Sequence, residues 1–97
     1  MSKHCSPGSA GARNELLVCA DLIRTGWLPF RSLSPNGPVD LLAVKRGTVL
    51  KIQVRTECQR SALRGNDVLA VVRDGVVRYR ARTQRIARKL IGCEVVH

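Results

Sequence analysis

Apolar and polar residues recur along this chain with two different periods, and the change of period divides it into elements. From Ser9 to Thr25, Ala12, Leu16, Cys19, Ala20 and Ile23 return every three or four residues. That spacing predicts a helix with Ser9 as its cap and Gly26 just past its end. Trp27 to Ser32 reads as a short strand whose two aromatics, Trp27 and Phe30, serve packing, and Leu33 to Pro38 reads as a turn-rich loop. Val39 to Lys45 and Thr48 to Thr56 are aliphatic, β-branched runs joined by Arg46-Gly47, the pattern of an antiparallel hairpin. In the second run Leu50, Ile52 and Val54 share one face, while Lys51, Gln53 and Arg55 share the other. The first face belongs to a core and the second is polar.

The remaining pattern completes a helix followed by five strands and a second helix. Glu57 to Gly65 is a polar connector, and Asn66 to Arg73 pairs with Val76 to Arg80 around Asp74-Gly75, a strong turn dipeptide. Thr83 to Ile91 is predicted as the second helix, with Thr83 as cap, Gly92 as stop and Ile86, Ala87, Leu90 and Ile91 on its apolar side. Cys93 to His97 fits either a short strand or a loose end. Residues 1–8 read as a flexible N-terminal arm and 9–97 as a single domain, without repeats or an internal linker.

Charge narrows the function. Seventeen Lys and Arg against seven Asp and Glu give a formal charge of +10, which favours a polyanionic partner, nucleic acid first and DNA before RNA. The cations are spread through strands and loops rather than gathered on an amphipathic helix, which argues against a membrane surface. The longest apolar runs, such as Val68 to Val72, are too short to span a bilayer, so the reading is an intracellular, cytoplasmic protein that is not exported. The cysteines, at 5, 19, 58 and 93, have neither Cys-x-x-Cys nor zinc-site spacing, and are expected as reduced thiols. His4 and His97 lie at the two ends and suit no catalytic role. From Arg55 to Lys89 ten basic residues face three acidic ones, so the C-terminal half carries the larger electrostatic footprint. Candidate nucleic-acid contacts are Arg13, Ser34, Arg60, Arg64, Arg82, Arg85, Arg88 and Lys89.

Within the central hairpin Asp40 is the only charged residue ahead of Lys45, and it stands where the first strand begins. A carboxylate there can reach the strand carrying Gln53 and Arg55, and Glu15 lies beside the apolar stripe of the first helix. The plain alternative makes Asp40 a turn cap, Gln53 and Arg55 solvated strand residues, and the charge a matter of solubility.

A helix with Glu15, a Gly26-aromatic strand, a Ser34-Pro35-Asn36-Gly37-Pro38 loop, then Asp40 and Gln53-Val54-Arg55 resembles the PD-(D/E)XK nuclease superfamily over roughly Ser9 to Tyr79. In look it is similar to archaeal Holliday-junction resolvases, and Gln53 matches the PD-(D/Q)XK variant of intron homing endonucleases. Twelve residues separate Asp40 from Gln53, the length of a strand-turn-strand. The resemblance implies an α/β, restriction-endonuclease-like αβββ core, a mixed sheet flanked by an N-terminal and a C-terminal helix. It implies a metal-dependent endonuclease hydrolysing DNA phosphodiesters, with Glu15, Asp40, Gln53 and Arg55 as catalytic residues. Glu15, Asp40, Gln53 and the Val54 carbonyl would hold Mg²⁺, or Mn²⁺, in an oxygen shell completed by water and phosphate. The family has Lys where this chain has Arg55. An Arg cannot give up its proton to act as a base, but its fork can hold a phosphate. The alternative is a catalytically degenerate nuclease fold that binds DNA or RNA without cutting. A domain this small is expected to work as a homodimer or higher homo-oligomer.

Overall fold

The computed structural model describes residues 7–31, 39–58 and 60–96. The chain runs α1 (Pro7–Arg24), β1 (Leu28–Arg31), β2 (Leu41–Lys45), β3 (Thr48–Arg55), a 3₁₀ turn at Arg60–Leu63, β4 (Val68–Arg73), β5 (Val76–Ala81), α2 (Gln84–Ala87) and β6 (Glu94–Val95). The strands form one sheet in sequence order, β1-β2-β3-β4-β5-β6. Pairing is antiparallel except at β3–β4 and β5–β6, which are parallel. The result is the expected mixed sheet with a helix before and after it.

Both hairpins turn where the dipeptides predict. Arg46 and Gly47 have φ of 50° and 80°, and Asp74 and Gly75 have 52° and 76°. Two successive left-handed residues make the turn whose twist matches paired strands, and glycine takes the second position at no steric cost. The parallel β3–β4 pair needs a longer crossover, and Asp67 fixes its arrival. The Asp67 carboxylate accepts from the Lys51 N–H at 2.9 Å, its N–H donates to Lys51 O at 2.8 Å, and its carbonyl accepts from Arg82 N–H at 3.1 Å.

Helix α1 begins at Pro7, so Ser9 lies inside it rather than capping it. Proline suits a first turn, where its missing N–H has no helical partner to lose. At the other end Gly26, at φ 93°, lets its own N–H reach Ile23 O and the Trp27 N–H reach Leu22 O, closing the last turn. Lys45 then donates to Thr25 O at 2.9 Å and lies 5.7 Å from the Trp27 ring centre, joining the end of α1 to β2. The buried stripe of α1 is Val18 and Leu22, with Leu17 and Cys19 packed beside them. Leu16 and Ile23, expected inward, are exposed. The run Leu16 to Ile23 is apolar on nearly every side, so periodicity alone does not orient it. Glu15, three residues before Val18, falls on the sheet-facing side.

The main core lies between α1 and one sheet face, where Leu41, Ala43, Ile52, Val68 and Ala70 are fully buried. The opposite face has a small second core of Leu63, Leu69 and Val71. Trp27 is buried as expected, but Phe30 is half exposed because β1 is an edge strand. Helix α2 is a single turn rather than the span to Ile91. The Thr83 hydroxyl caps it by accepting from Ile86 N–H, the Ala87 and Arg88 amides reach back four residues, and those of Lys89 and Leu90 reach back only three. Leu90 is buried, whereas Ile91 points out. The tail takes the strand option, with Glu94 and Val95 beside Arg80 and Ala81.

Candidate functional site

Strand β3 runs past the start of β2, which leaves its last edge groups without a strand neighbour. Asp40 supplies the substitute. Its N–H donates to Ile52 O at 3.0 Å, and its Oδ2 accepts from the Val54 N–H at 2.8 Å. The carboxylate is thereby fixed at the end of the sheet by a charge-assisted bond. Its Oδ1 has no protein partner among the described residues. The Val54 carbonyl accepts from the Arg55 guanidinium at 3.4 Å, so the Arg55 side chain folds back over the same strand end.

Glu15 arrives from α1. Its Oε1 accepts from Arg31 Nε at 3.2 Å and is ion-paired with an Nη of the same guanidinium at 3.2 Å, tying the helix to the end of β1. Cys19, one turn further along, has its thiol pushed up chiefly by burial, with Arg31 lowering it and Glu15 raising it. Glu15, Asp40, Val54 and Arg55, with Asn14 and Thr56, line one cavity of about 290 Å³. Residues distant in sequence therefore converge on a small open space at the sheet's end.

Gln53 takes a different place. It is buried, and its Oε1 accepts from Asn66 Nδ2 at 3.2 Å; Asn66 Nδ2 also reaches Arg64 O at 3.3 Å. Its neighbour on β4 is Leu69, in the second core, and Gln53 does not line the cavity. Arg13 lines an adjoining concavity that shares Asn14 and Thr56 with the first. Arg64, Arg82, Arg85, Arg88 and Lys89 are exposed but line neither of these two concavities. Arg60 falls in the 3₁₀ turn, and Ser34, with the Leu33–Pro38 loop, lies outside the described residues. Arg31 and Asn14 went unmarked in the sequence. Arg31 stands sixteen residues from Glu15, and no local pattern connects them.

The side chains lining the cavity include two carboxylates, Glu15 and Asp40, beside the Asn14 amide and the Thr56 hydroxyl. Among the described residues no three His, Cys, Asp or Glu side chains cluster as a metal-binding group. A hard cation such as Mg²⁺ is often held by one or two carboxylates, with water and phosphate supplying the rest. The donor set fits that manner of binding through Asp40, Glu15 and Val54 O, although Arg31 competes for Glu15.

The architecture has a counterpart among solved structures. A bacterial homing endonuclease, I-Ssp6803I, superposes with a TM-score of 0.62 at 17% identity, over 76% of this chain and 64% of that one. The chain has a restriction-endonuclease-like fold. The PD-(D/E)XK resemblance read from Glu15, Asp40 and Gln53-Val54-Arg55 thus holds for the architecture. This restriction-endonuclease-like chain spans less than two thirds of the homing endonuclease's length. No protein-family model matches it, and comparison with curated proteins gives no match. Among the described residues no helix is long and apolar enough to cross a membrane.

Proposed function

We propose that this protein is a metal-dependent endonuclease that hydrolyses DNA phosphodiester bonds, acting as an intracellular homodimer. The observation that carries the reading is the convergence of Glu15, Asp40, Val54 and Arg55 on one cavity at the end of the sheet. Asp40 and Glu15, with Val54 O, would hold Mg²⁺ or Mn²⁺, which would polarise the phosphate and acidify a bound water. The protein's own contribution is positional. The Val54 N–H holds the Asp40 carboxylate still, and Arg31 restrains Glu15. A guanidinium does not serve as a base, so Arg55 would grip the scissile phosphate rather than take a proton from water. Gln53 supports the site through Asn66 and the strand it anchors.

Supercoiled plasmid incubated with Mg²⁺ or Mn²⁺ tests this. Wild type should nick it. Asp40→Asn and Glu15→Gln should cut about 100-fold more slowly or worse, since several kcal/mol of charge stabilisation is removed at about 1.4 kcal/mol per tenfold. Their DNA affinity should be largely kept. A specific observation favours the second reading, a binding module that does not cut: Glu15 is already paired with Arg31, and Arg55 replaces the family's lysine. Wild type that binds DNA but leaves linear, branched and supercoiled forms intact with either metal would establish that reading.

A further inference from the structure

The candidate cavity is the first of a series of concavities that share lining residues. Through Asn14 and Thr56 it joins the concavity lined by Arg13 and Val72. Thr56, Val72 and Asp74 carry that space round the tip of the β4–β5 hairpin. Arg73 and Asp74 then lead into a groove of about 500 Å³ on the sheet face opposite α1, where Arg73, Arg78 and Arg80 stand over Val71 and Val76. Pairing sets Arg55, Val71 and Arg78 side by side across three strands. The stems of Arg55 and Arg78 therefore lie two strand spacings apart, about 10 Å.

The chemistry of this groove is one-sided. Three guanidiniums meet one carboxylate in its lining, that of Asp74. Arg73 and Arg78 are exposed, and their side chains make no hydrogen bond or ion pair among the described residues. Among the described residues the Arg80 guanidinium is ion-paired with Glu94 alone, at 4.0 Å. Guanidinium forks over an apolar floor suit phosphate oxygens with sugar packed beneath.

We propose that Arg73, Arg78 and Arg80 form a phosphate-holding groove for the nucleic-acid strand that flanks the scissile position, reached from the Glu15–Asp40 cavity round the β4–β5 hairpin. The proposal rests on the nuclease-site reading for where the strand comes from, but its own contacts are separate from that site.

The test measures binding of a short fluorescent DNA duplex, in EDTA, across a salt series. Arg73→Gln, Arg78→Gln and Arg80→Gln combined should flatten the log K against log salt slope by about 2 to 3, because each substitution frees one phosphate. Arg24→Gln, Arg46→Gln and Lys51→Gln combined remove the same charge from exposed positions outside the groove and should change the slope by about 1 or less. Equal changes in the two triples would mean bulk charge alone and overturn the groove. Should the first triple fail to fold by circular dichroism, Arg73→Gln with Arg78→Gln, both exposed, carries the test. A second readout uses Cys58, which lines the groove and is exposed, whereas burial raises the Cys19 thiol and pushes that of Cys93 up to about 11. Bound duplex should slow alkylation of Cys58, read by peptide mass; unchanged alkylation counts against the groove. Preferential binding to phosphatidylserine vesicles, lost in the same triple, would overturn the nucleic-acid assignment. If the nuclease reading fails while the groove stands, wild type never nicks yet the two triples still differ. If the groove alone fails, wild type nicks and the first triple nicks with unchanged KM.

Discussion

On the α1 side of the sheet Leu41, Ala43, Ile52, Val68 and Ala70 are completely buried, whereas the other side carries Leu28, Phe30 and Val49, at least half exposed, and the side chains of Arg55, Arg73 and Arg78. The same strands build both faces, because successive side chains point to opposite sides. What separates them is cover. An eighteen-residue helix lies across one face, while the other has the 3₁₀ turn at Arg60–Leu63 over its small core. The closed face holds the fold together, and the open one can keep charge that a core would reject. Asp40, Glu15 and Arg55 stand at the end of the sheet, close to both.

The two faces should answer mutation differently. Ile52→Ala, on the closed face, should cost about 2–5 kcal/mol in chemical denaturation, from reduced burial and the cavity left behind. Gln53→Leu, its neighbour on the opposite face, removes the acceptor of a buried bond to Asn66 and should cost about 1–3 kcal/mol. If instead Gln53→Leu leaves stability intact and abolishes nicking, Gln53 belongs to the reaction and not to the scaffold. Tyr79→Phe should cost about 1 kcal/mol, because the phenol donates to Asp21 at 2.6 Å and ties β5 to α1.

The same tyrosine gives a pH signature. Burial first, and then the bond to Asp21, push its phenol well above the ordinary value of 10. The folded chain thus keeps a proton that the unfolded chain sheds above about pH 10. The associated stability is complete below that pH and declines as pH rises past it. With one tyrosine in the chain, ultraviolet absorbance titrates this group alone. The native protein should show no phenolate until it unfolds; ionisation near 10 in the folded state would refute the buried Tyr79–Asp21 link. The smallest effect should come from Val49→Ala on the open face, within about 0.5 kcal/mol of wild type. A loss comparable to Ile52→Ala would mean that this face is covered in solution by another surface.

Much of the fold was legible because its signals are local. Arg46-Gly47 and Asp74-Gly75 specify tight turns within two residues, Gly26 ends α1, and alternation in Thr48 to Thr56 separates Leu50, Ile52 and Val54 from Lys51 and Arg55. Asp40 could be singled out for the same reason, as a lone carboxylate opening an apolar run. The inward side of α1 was not legible, since Leu16, Val18 and Leu22 are equally apolar and only packing against the sheet chooses among them.

The sequence by itself determined the alternating elements, the turns between them, the surplus of positive charge and the residue types available for phosphate chemistry. Tertiary structure alone decided that Arg31 would hold Glu15, that Asp40 would occupy Val54 N–H, and that Gln53 would turn to Asn66. It also decided that Arg73, Arg78 and Arg80 would share one groove. The reason is range: hydrophobic period and turn geometry act between near neighbours, whereas ion pairs, edge hydrogen bonds and charged grooves join residues whose proximity exists only once the sheet has formed and the helix has docked.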